Sequence, residues 1–220
     1  VYVLTSDADV YFEPANAMML LEALDRDHRV AGACGRIRPS GDGPVAWYQE
    51  FEYALAHALQ KCAEHVLGSV LCCPGAFSMF QYHAIGQILE EFASKSTTPK
   101  EIHMFDQGED RWLCTMLIER GWTLHYCAES YADTHCPVNF DDFFIQRRRW
   151  NVSTQANTYH FLERGRNIAK KSESITWAFI FYAGLAFAAG LVRPGVLILV
   201  LSLGVSTAYE WELYNALLLM

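Results

Sequence analysis

Apolar residues recur along the chain in two periods, and the switch between them marks the elements. Val1 to Leu4 is a short apolar run that breaks into Thr5-Ser6-Asp7-Ala8-Asp9, the pattern of a buried strand entering a polar turn. Pro14 to Leu24 sets Ala15, Met18, Met19, Leu21 and Leu24 at helical spacing, and Val30 to Cys34 reads as a second strand. A strand–helix–strand unit predicts a parallel sheet and an α/β fold. Arg38 to Pro44, punctuated by Pro39, Gly41, Gly43 and Pro44, is a loop. Trp47 to Leu67 is a long helical stretch, and Gly68 to Phe80 returns to strand and turn around a break at Pro74-Gly75. Ala84 to Ala93 reads as a helix, Ser94 to Pro99 as a polar loop, and Glu109 to Arg120 as a helix stopped by Gly121. Trp122 to Ala128 is a further strand, and Phe140 to Leu162 an amphipathic helix.

The pattern then changes. Residues 175–192 hold no charged side chain over 18 positions, the lower limit for a membrane span. Arg193-Pro194-Gly195 predicts a tight turn, and 196–209 is a second uncharged run. Both runs are apolar all round, which favours membrane helices over two buried helices of a soluble core. Arg164, Arg166, Lys170 and Lys171 precede the first run, so the positive-inside rule puts the globular part in the cytosol. The expected division is a catalytic-type domain over 1–167, with an interface helix near 140–165, and a membrane region over 168–220. The chain lacks an initiator Met, opens on an apolar run and stops within another, which reads as an internal piece of a longer protein.

Composition narrows the class. The chain is 52% hydrophobic and 14% aromatic, which excludes disorder. Its net charge of −8 argues against a nucleic-acid partner. Seven cysteines, an odd number with no zinc-knuckle spacing, read as reduced thiols of a cytosolic domain. His57 and His65 are eight residues apart, which is not a zinc spacing, and read as packed side chains.

Three short motifs can carry chemistry. Asp7-Ala8-Asp9 puts two carboxylates at the carboxyl end of a strand, where open α/β sheets bind ligands and where Mg²⁺ or Mn²⁺ takes oxygen donors beside phosphates. Acidic capping of the helix that follows is the plain alternative. Glu109-Asp110 opens a helix, which suits either dipole complementarity or a general base. Gln146-Arg147-Arg148-Arg149-Trp150 turns three guanidinium groups about 100° apart around a helix, so at least one faces inward. Arginine suits paired phosphate oxygens, and the Trp150 ring suits a sugar face; a basic surface touching lipid headgroups is the alternative. The aromatic stretch Trp47-Tyr48-Gln49-Glu50-Phe51-Glu52-Tyr53 reads mainly as core, though a sugar channel is lined the same way.

The order of these motifs ahead of apolar runs resembles the processive family 2 glycosyltransferases, which include chitin, cellulose and hyaluronan synthases. The residues between them are similar to chitin synthases of animal type: Cys34-Gly35-Arg36-Ile37-Arg38-Pro39, then Trp47-Tyr48-Gln49, Phe51-Glu52-Tyr53, Gln60-Lys61 and Glu64-His65-Val66-Leu67-Gly68, then Cys73-Pro74-Gly75-Ala76-Phe77-Ser78. The resemblance covers about residues 1–160. It implies the C-terminal part of a glycosyltransferase A-type nucleotide-sugar domain followed by transmembrane helices, in a multi-pass protein of the plasma membrane. It implies transfer of N-acetylglucosamine from UDP-N-acetylglucosamine to a β-1,4 chitin chain, with inversion and a divalent metal. Carried over by position, Asp9 is the metal ligand, Asp7, Asp9, Gln146 and Arg149 contact the donor, Asp110 is the catalytic base and Glu109 its neighbour. Trp150, Cys73, Pro74 and Gly75 meet the acceptor; Arg147 and Arg148 are left without separate roles. The lipid bilayer is an expected partner, and self-association into a homo-oligomer is compatible with the family. A cellulose or hyaluronan type of synthase, or a non-catalytic carbohydrate-binding remnant, is the alternative. The family's uridine-binding strands precede the Asp-x-Asp motif, so these residues alone are expected to be inactive and a parent carrying those strands active.

Overall fold

The computed structural model describes residues 1–94, 98–102, 107–172 and 174–218, without the side chains of residues 100, 194, 197, 198, 201 and 205–218. The chain divides into two compact units, Val1–Ala183 and Gly184–Met220. In chain order the elements are β1 (Tyr2–Ser6), α1 (Pro14–Arg26), β2 (Val30–Ser40), α2 (Pro44–Leu55), a π-helical segment (Ala56–Lys61), α3 (Cys62–Val66), β3 (Phe77–Gln81), α4 (Tyr82–Gly86), α5 (Leu89–Phe92), α6 (Pro99–Glu101), α7 (Glu109–Glu119), β4 (Thr123–His135), α8 (Phe140–Lys171) and α9 (Trp177–Leu218).

The sheet has the order β1-β3-β2-β4. β2 and β4 are parallel, but β3 runs antiparallel to both β1 and β2, so the sheet is mixed where a parallel one is expected from the pattern. All five residues of β3 are buried, and a strand covered on both faces shows no alternation from which direction can be read. β1 is an edge strand and only half covered, with Leu4 38% exposed, because one side of it lacks a neighbour among the described residues.

Apolar residues cover both faces of the sheet. On one side Leu20 and Leu24 of α1 pack against Val30, Ala33, Ile37, Phe77 and Met79. On the other, Phe80, Leu124 and Tyr126 pack with Met116, Leu117 and Ile118 of α7, Phe161 and Ile168 of α8, and Phe179 and Ala183 of α9. Gly32 and Gly35 permit this closeness: a Cβ at Gly32 would lie 2.5 Å from the Phe80 ring, and one at Gly35 2.6 Å from the Phe77 ring.

The helices keep their expected places with altered limits. The stretch from Trp47 starts at Pro44, a residue pre-set for the first helical position, and contains a π turn that hydrophobic spacing does not reveal. The helix expected over Ala84–Ala93 splits into α4 and α5. Asn139 caps α8 by accepting the Asp142 N–H at 2.9 Å, and Lys170 and Lys171 suit the negative end of its dipole. The strand expected to stop at Ala128 runs to His135, and that expected to stop at Cys34 runs to Ser40.

The turn expected at Arg193-Pro194-Gly195 is absent: α9 stays helical through these positions. Proline removes one N–H donor, and the apolar helical stretches on both sides outweigh that single bond. Among the described residues, no helix is long and apolar enough to cross a membrane. The second apolar run, 196–209, falls largely on side chains outside the described set.

Candidate active site

Because β1, β2 and β4 point the same way, their carboxyl ends share one edge of the sheet. The reversed β3 brings its amino end to that same edge, where Ser6 pairs with Phe77. The loops leaving β1 and β4 and the loop entering β3 therefore meet there. The amino end of α7 and the first turns of α8 close over them. The result is a cleft of about 410 Å³.

Asp7 and Asp9 line the cleft from the end of β1, Glu109, Asp110 and Arg111 from the start of α7, and Gln146, Arg147, Arg149 and Trp150 from α8. Pro74 and Gly75 line it from the loop before β3. So the three motifs, up to 143 positions apart in the chain (Asp7 to Trp150), converge on one space. Cys73 does not join them; it is wholly buried, and Cys72 lines the wall in its place.

Asp110 is held in a defined pose. Its Oδ1 accepts the Arg111 N–H at 2.7 Å, and its Oδ2 accepts the Gly75 N–H at 3.4 Å and the Cys72 S–H at 3.6 Å. The helix cannot be moved aside easily, since a Cβ at Gly108 would lie 1.5 Å from Ser153 Oγ of α8. Glu109, one position earlier, is exposed at the rim. Asp9 Oδ2 accepts a hydrogen bond from the Thr134 hydroxyl at 3.5 Å. Burial pushes the Asp7 carboxyl up, the charges of Asp9 and Asp110 push it further, and Arg149 opposes them. Four ionic groups from three segments thus share one electrostatic field. Neither aspartate caps α1, whose Ncap is Glu13 without a side-chain bond, so the plain capping alternative does not hold.

The three arginines separate cleanly. Arg147 is the inward one: it pairs with Glu52 at 2.6 Å, and its guanidinium lies 4.7 Å from the Trp150 ring centroid. Arg149 lines the cleft, makes no ion pair among the described residues, and acts on Asp7. Arg148 is exposed and outside the cleft. Helical spacing demands one inward arginine, but only the packing of α8 on α2 names Arg147.

The back wall holds buried polar residues outside the three motifs. His57 is 5% exposed; its Nε2 accepts the Ile37 N–H at 3.2 Å and its ring stacks on Tyr126. Burial pulls its pKa down to about 3, with help from the Lys61 and Arg36 charges, so the ring is neutral. Lys61 donates to the Cys72 carbonyl, and buried Glu64 accepts the Leu71 N–H at 3.0 Å. The spacing Glu52, His57, Gln60, Lys61 and Glu64 along one helix carries the signal, but the π turn shifts the faces and hides it.

Among the described residues no group of three or more His, Cys, Asp or Glu side chains is arranged to hold a metal ion. Asp7 and Asp9 offer hard oxygen donors, and the repulsion that pushes Asp7 up is the kind a divalent cation relieves, so the pair fits a cation that draws its other ligands from phosphate and water.

An acidic strand edge faced by an arginine helix, on a mixed α/β sheet, fits a glycosyltransferase-like domain. Comparison with known proteins narrows the class. Residues 2–164 match the chitin synthase-like glycosyltransferase domain. The whole chain is 40% identical to chitin synthase chs-2 of Caenorhabditis elegans and 40% identical to a chitin synthase of Meloidogyne artiellia, covering 13% and 12% of their lengths. It is 31% identical to chitin synthase 1 of Saccharomyces cerevisiae, with 84% of this chain and 18% of that protein aligned. The chain belongs to the chitin synthase family, and it spans about an eighth of the length of the nematode relatives.

Proposed function

We propose that this domain supplies the base and leaving-group half of a chitin synthase active site of glycosyltransferase A type. It serves the transfer of N-acetylglucosamine from UDP-N-acetylglucosamine to the 4-hydroxyl of a β-1,4 chitin chain, with inversion at C1. The observation that carries this reading is the meeting of Asp7, Asp9, Asp110, Arg149 and Trp150 in one cleft.

In this reading Asp110 accepts the proton of the acceptor hydroxyl as its oxygen attacks C1 and the bond from C1 to the diphosphate breaks. The Gly75 N–H and Cys72 S–H that hold its Oδ2 keep the carboxylate aimed. Arg149 draws off the negative charge arriving on the leaving phosphate. Arg147, tied to Glu52, fixes the Trp150 ring as a platform for the acceptor sugar. Asp9, with Asp7 beside it, would hold Mg²⁺ or Mn²⁺, which supplies positive charge to the diphosphate. Pro74 and Gly75 shape the acceptor entrance, and Cys73 acts only by packing beneath them.

The uncharged run 175–192 behind Arg164, Arg166, Lys170 and Lys171 supports a plasma-membrane setting with this domain on the cytosolic side. Self-association into a homo-oligomer is part of the same family reading.

The test is incorporation of labelled donor sugar by membranes carrying a parent with the upstream strands. Chitinase-sensitive product from UDP-N-acetylglucosamine, and none from UDP-glucose or UDP-glucuronate, is expected. Product from either rival donor in place of chitin would replace this reading with the cellulose or hyaluronan type. Asp9→Ala is expected to abolish metal-dependent donor binding, read by calorimetry with and without Mn²⁺.

A further inference from the structure

The segment that reaches Asp110 is held along its length. The Val70 N–H donates to the Leu124 carbonyl of β4 at 3.1 Å. The Leu71 N–H donates to Glu64 Oε2 at 3.0 Å, and the Cys72 carbonyl accepts from Lys61 Nζ. The Cys73 N–H donates to Cys114 Sγ at 3.1 Å, and the Pro74 carbonyl accepts the Ser78 hydroxyl at 2.6 Å. The contacts to Asp110 Oδ2 are the long ones: 3.6 Å from the Cys72 sulfur and 3.4 Å from the Gly75 nitrogen. Donors at such lengths weaken steeply with small shifts, so their worth depends on what fixes the backbone that carries them.

Lys61 ends the π-helical segment and Glu64 lies in α3, three positions on. Both line the cleft. Glu64 is 1% exposed, and its second oxygen accepts the Gln60 amide at 3.1 Å. A buried carboxylate is costly to the fold, and an apolar side chain of like volume costs it less. Among the described residues neither Lys61 nor Glu64 is hydrogen-bonded to Asp110.

We propose that Lys61 and Glu64 are positioning residues for the base. They clamp the backbone on either side of the Leu71–Cys72 peptide, and through it they set where the Cys72 and Gly75 donors meet Asp110. That this governs transfer rests on the proposed role of Asp110; the clamp itself does not. Asp7 at the end of β1, Cys72 on the loop, and Arg111 and Cys114 on α7 also bear on Asp110, and substitutions at Lys61 and Glu64 leave all four in place.

The experiment compares Glu64→Ala and Lys61→Met, each checked for a cooperative melt, in two readouts. In the chain in detergent, backbone hydrogen exchange is read by mass. The amides of Leu71, Cys72, Cys73 and Gly75 are expected to exchange faster in both variants while α1 keeps its rates; unchanged exchange over 71–75 overturns the clamp. In an active parent, kcat is expected to fall about tenfold in each variant with the KM for UDP-N-acetylglucosamine unchanged. The acid limb of kcat/KM tells positioning from direct charge. Losing N–H and S–H donors disfavours the ionised base, so both variants are expected to move the limb to higher pH. Direct charge would move it up for Lys61→Met and down for Glu64→Ala, and opposite shifts, or none, overturn the proposal. Glu64→Gln keeps an acceptor for the Leu71 N–H without the charge and is expected to restore the parental limb; a limb like that of Glu64→Ala overturns the hydrogen-bond clamp. Where Glu64→Ala does not fold, Lys61→Met and Glu64→Gln carry the test. Glu119→Ala, at the far end of α7, lowers stability and is expected to leave the limb in place; a shift there would assign the effect to general loosening and overturn the proposal. No transfer by the parent overturns the proposed function, and the clamp is still read by exchange.

Discussion

The helices α7 and α8 face each other twice, with opposite results. At the carboxyl end of α7, Glu119 accepts from His160 at 2.9 Å and from Arg164 at 3.0 Å, and Lys171 donates to the Glu119 carbonyl. Although burial pushes its carboxyl up, those two hydrogen bonds and charges hold Glu119 below the usual carboxylate range. At the amino end, among the described residues, Asp110 accepts only from backbone N–H groups and a thiol and Arg149 makes no ion pair, while Asp7 is pushed up. Gln146 Oε1 and His57 Nδ1 are buried there without hydrogen-bond partners among the described residues. The two ends of α7 thus take part in one saturated network and one open one. Saturated polar groups contribute to stability, whereas open ones carry a desolvation cost.

The contrast can be broken at either end. The largest effect is expected from Asp110→Asn in an active parent: synthesis falls by about 10²–10⁴, the usual worth of a positioned base, while UDP binding and the melting temperature stay near those of the parent. Synthesis retained at half the parental rate would remove Asp110 from the chemistry. Next comes Glu119→Ala. It strands His160 and Arg164 beside a half-buried hole and is expected to lower stability by about 2–3 kcal/mol in urea titrations. A melt unchanged by this substitution would erase the difference between the two ends of α7.

His57 sharpens the comparison through pH. Its folded pKa, about 3, lies below the ordinary histidine value of 6.5, so the unfolded chain binds a proton that the folded one refuses. Stability is therefore full above about pH 6.5 and falls by about 1.4 kcal/mol per unit as pH drops from there toward 3. His57→Gln is expected to flatten that slope in denaturant melts taken between pH 7 and 4; an identical slope would show that the proton is taken elsewhere. The smallest effect belongs to Asp7→Asn. A carboxyl whose folded pKa is raised loses stability on ionising, so the amide is expected to raise the melting temperature slightly at pH 7 and to change nothing at pH 3. A lower melting temperature at pH 7 would mean that Arg149 outweighs the repulsion from Asp9 and Asp110.

Local physics wrote much of this molecule legibly in its residues. The periods of apolar spacing placed α1, α7 and α8, Gly121 stopped α7, and the carboxylates and arginines marked residues that the cleft brings together. These features depend on a residue and its neighbours within a turn or two. The direction of β3, the edge position of β1, the choice of Arg147 over Arg148 as the inward cation, and the exchange of Cys73 for Cys72 at the cleft wall depend on partners tens of residues away. The π turn in the helix from Pro44 and the helical passage through Pro194 are likewise invisible to spacing. A strand buried on both faces carries no mark of its direction, and a run of three arginines has no preferred face until another helix packs against it. Only the assembled sheet edge, made when β3 enters against its neighbours, brings Asp7, Asp110 and Arg149 into one field.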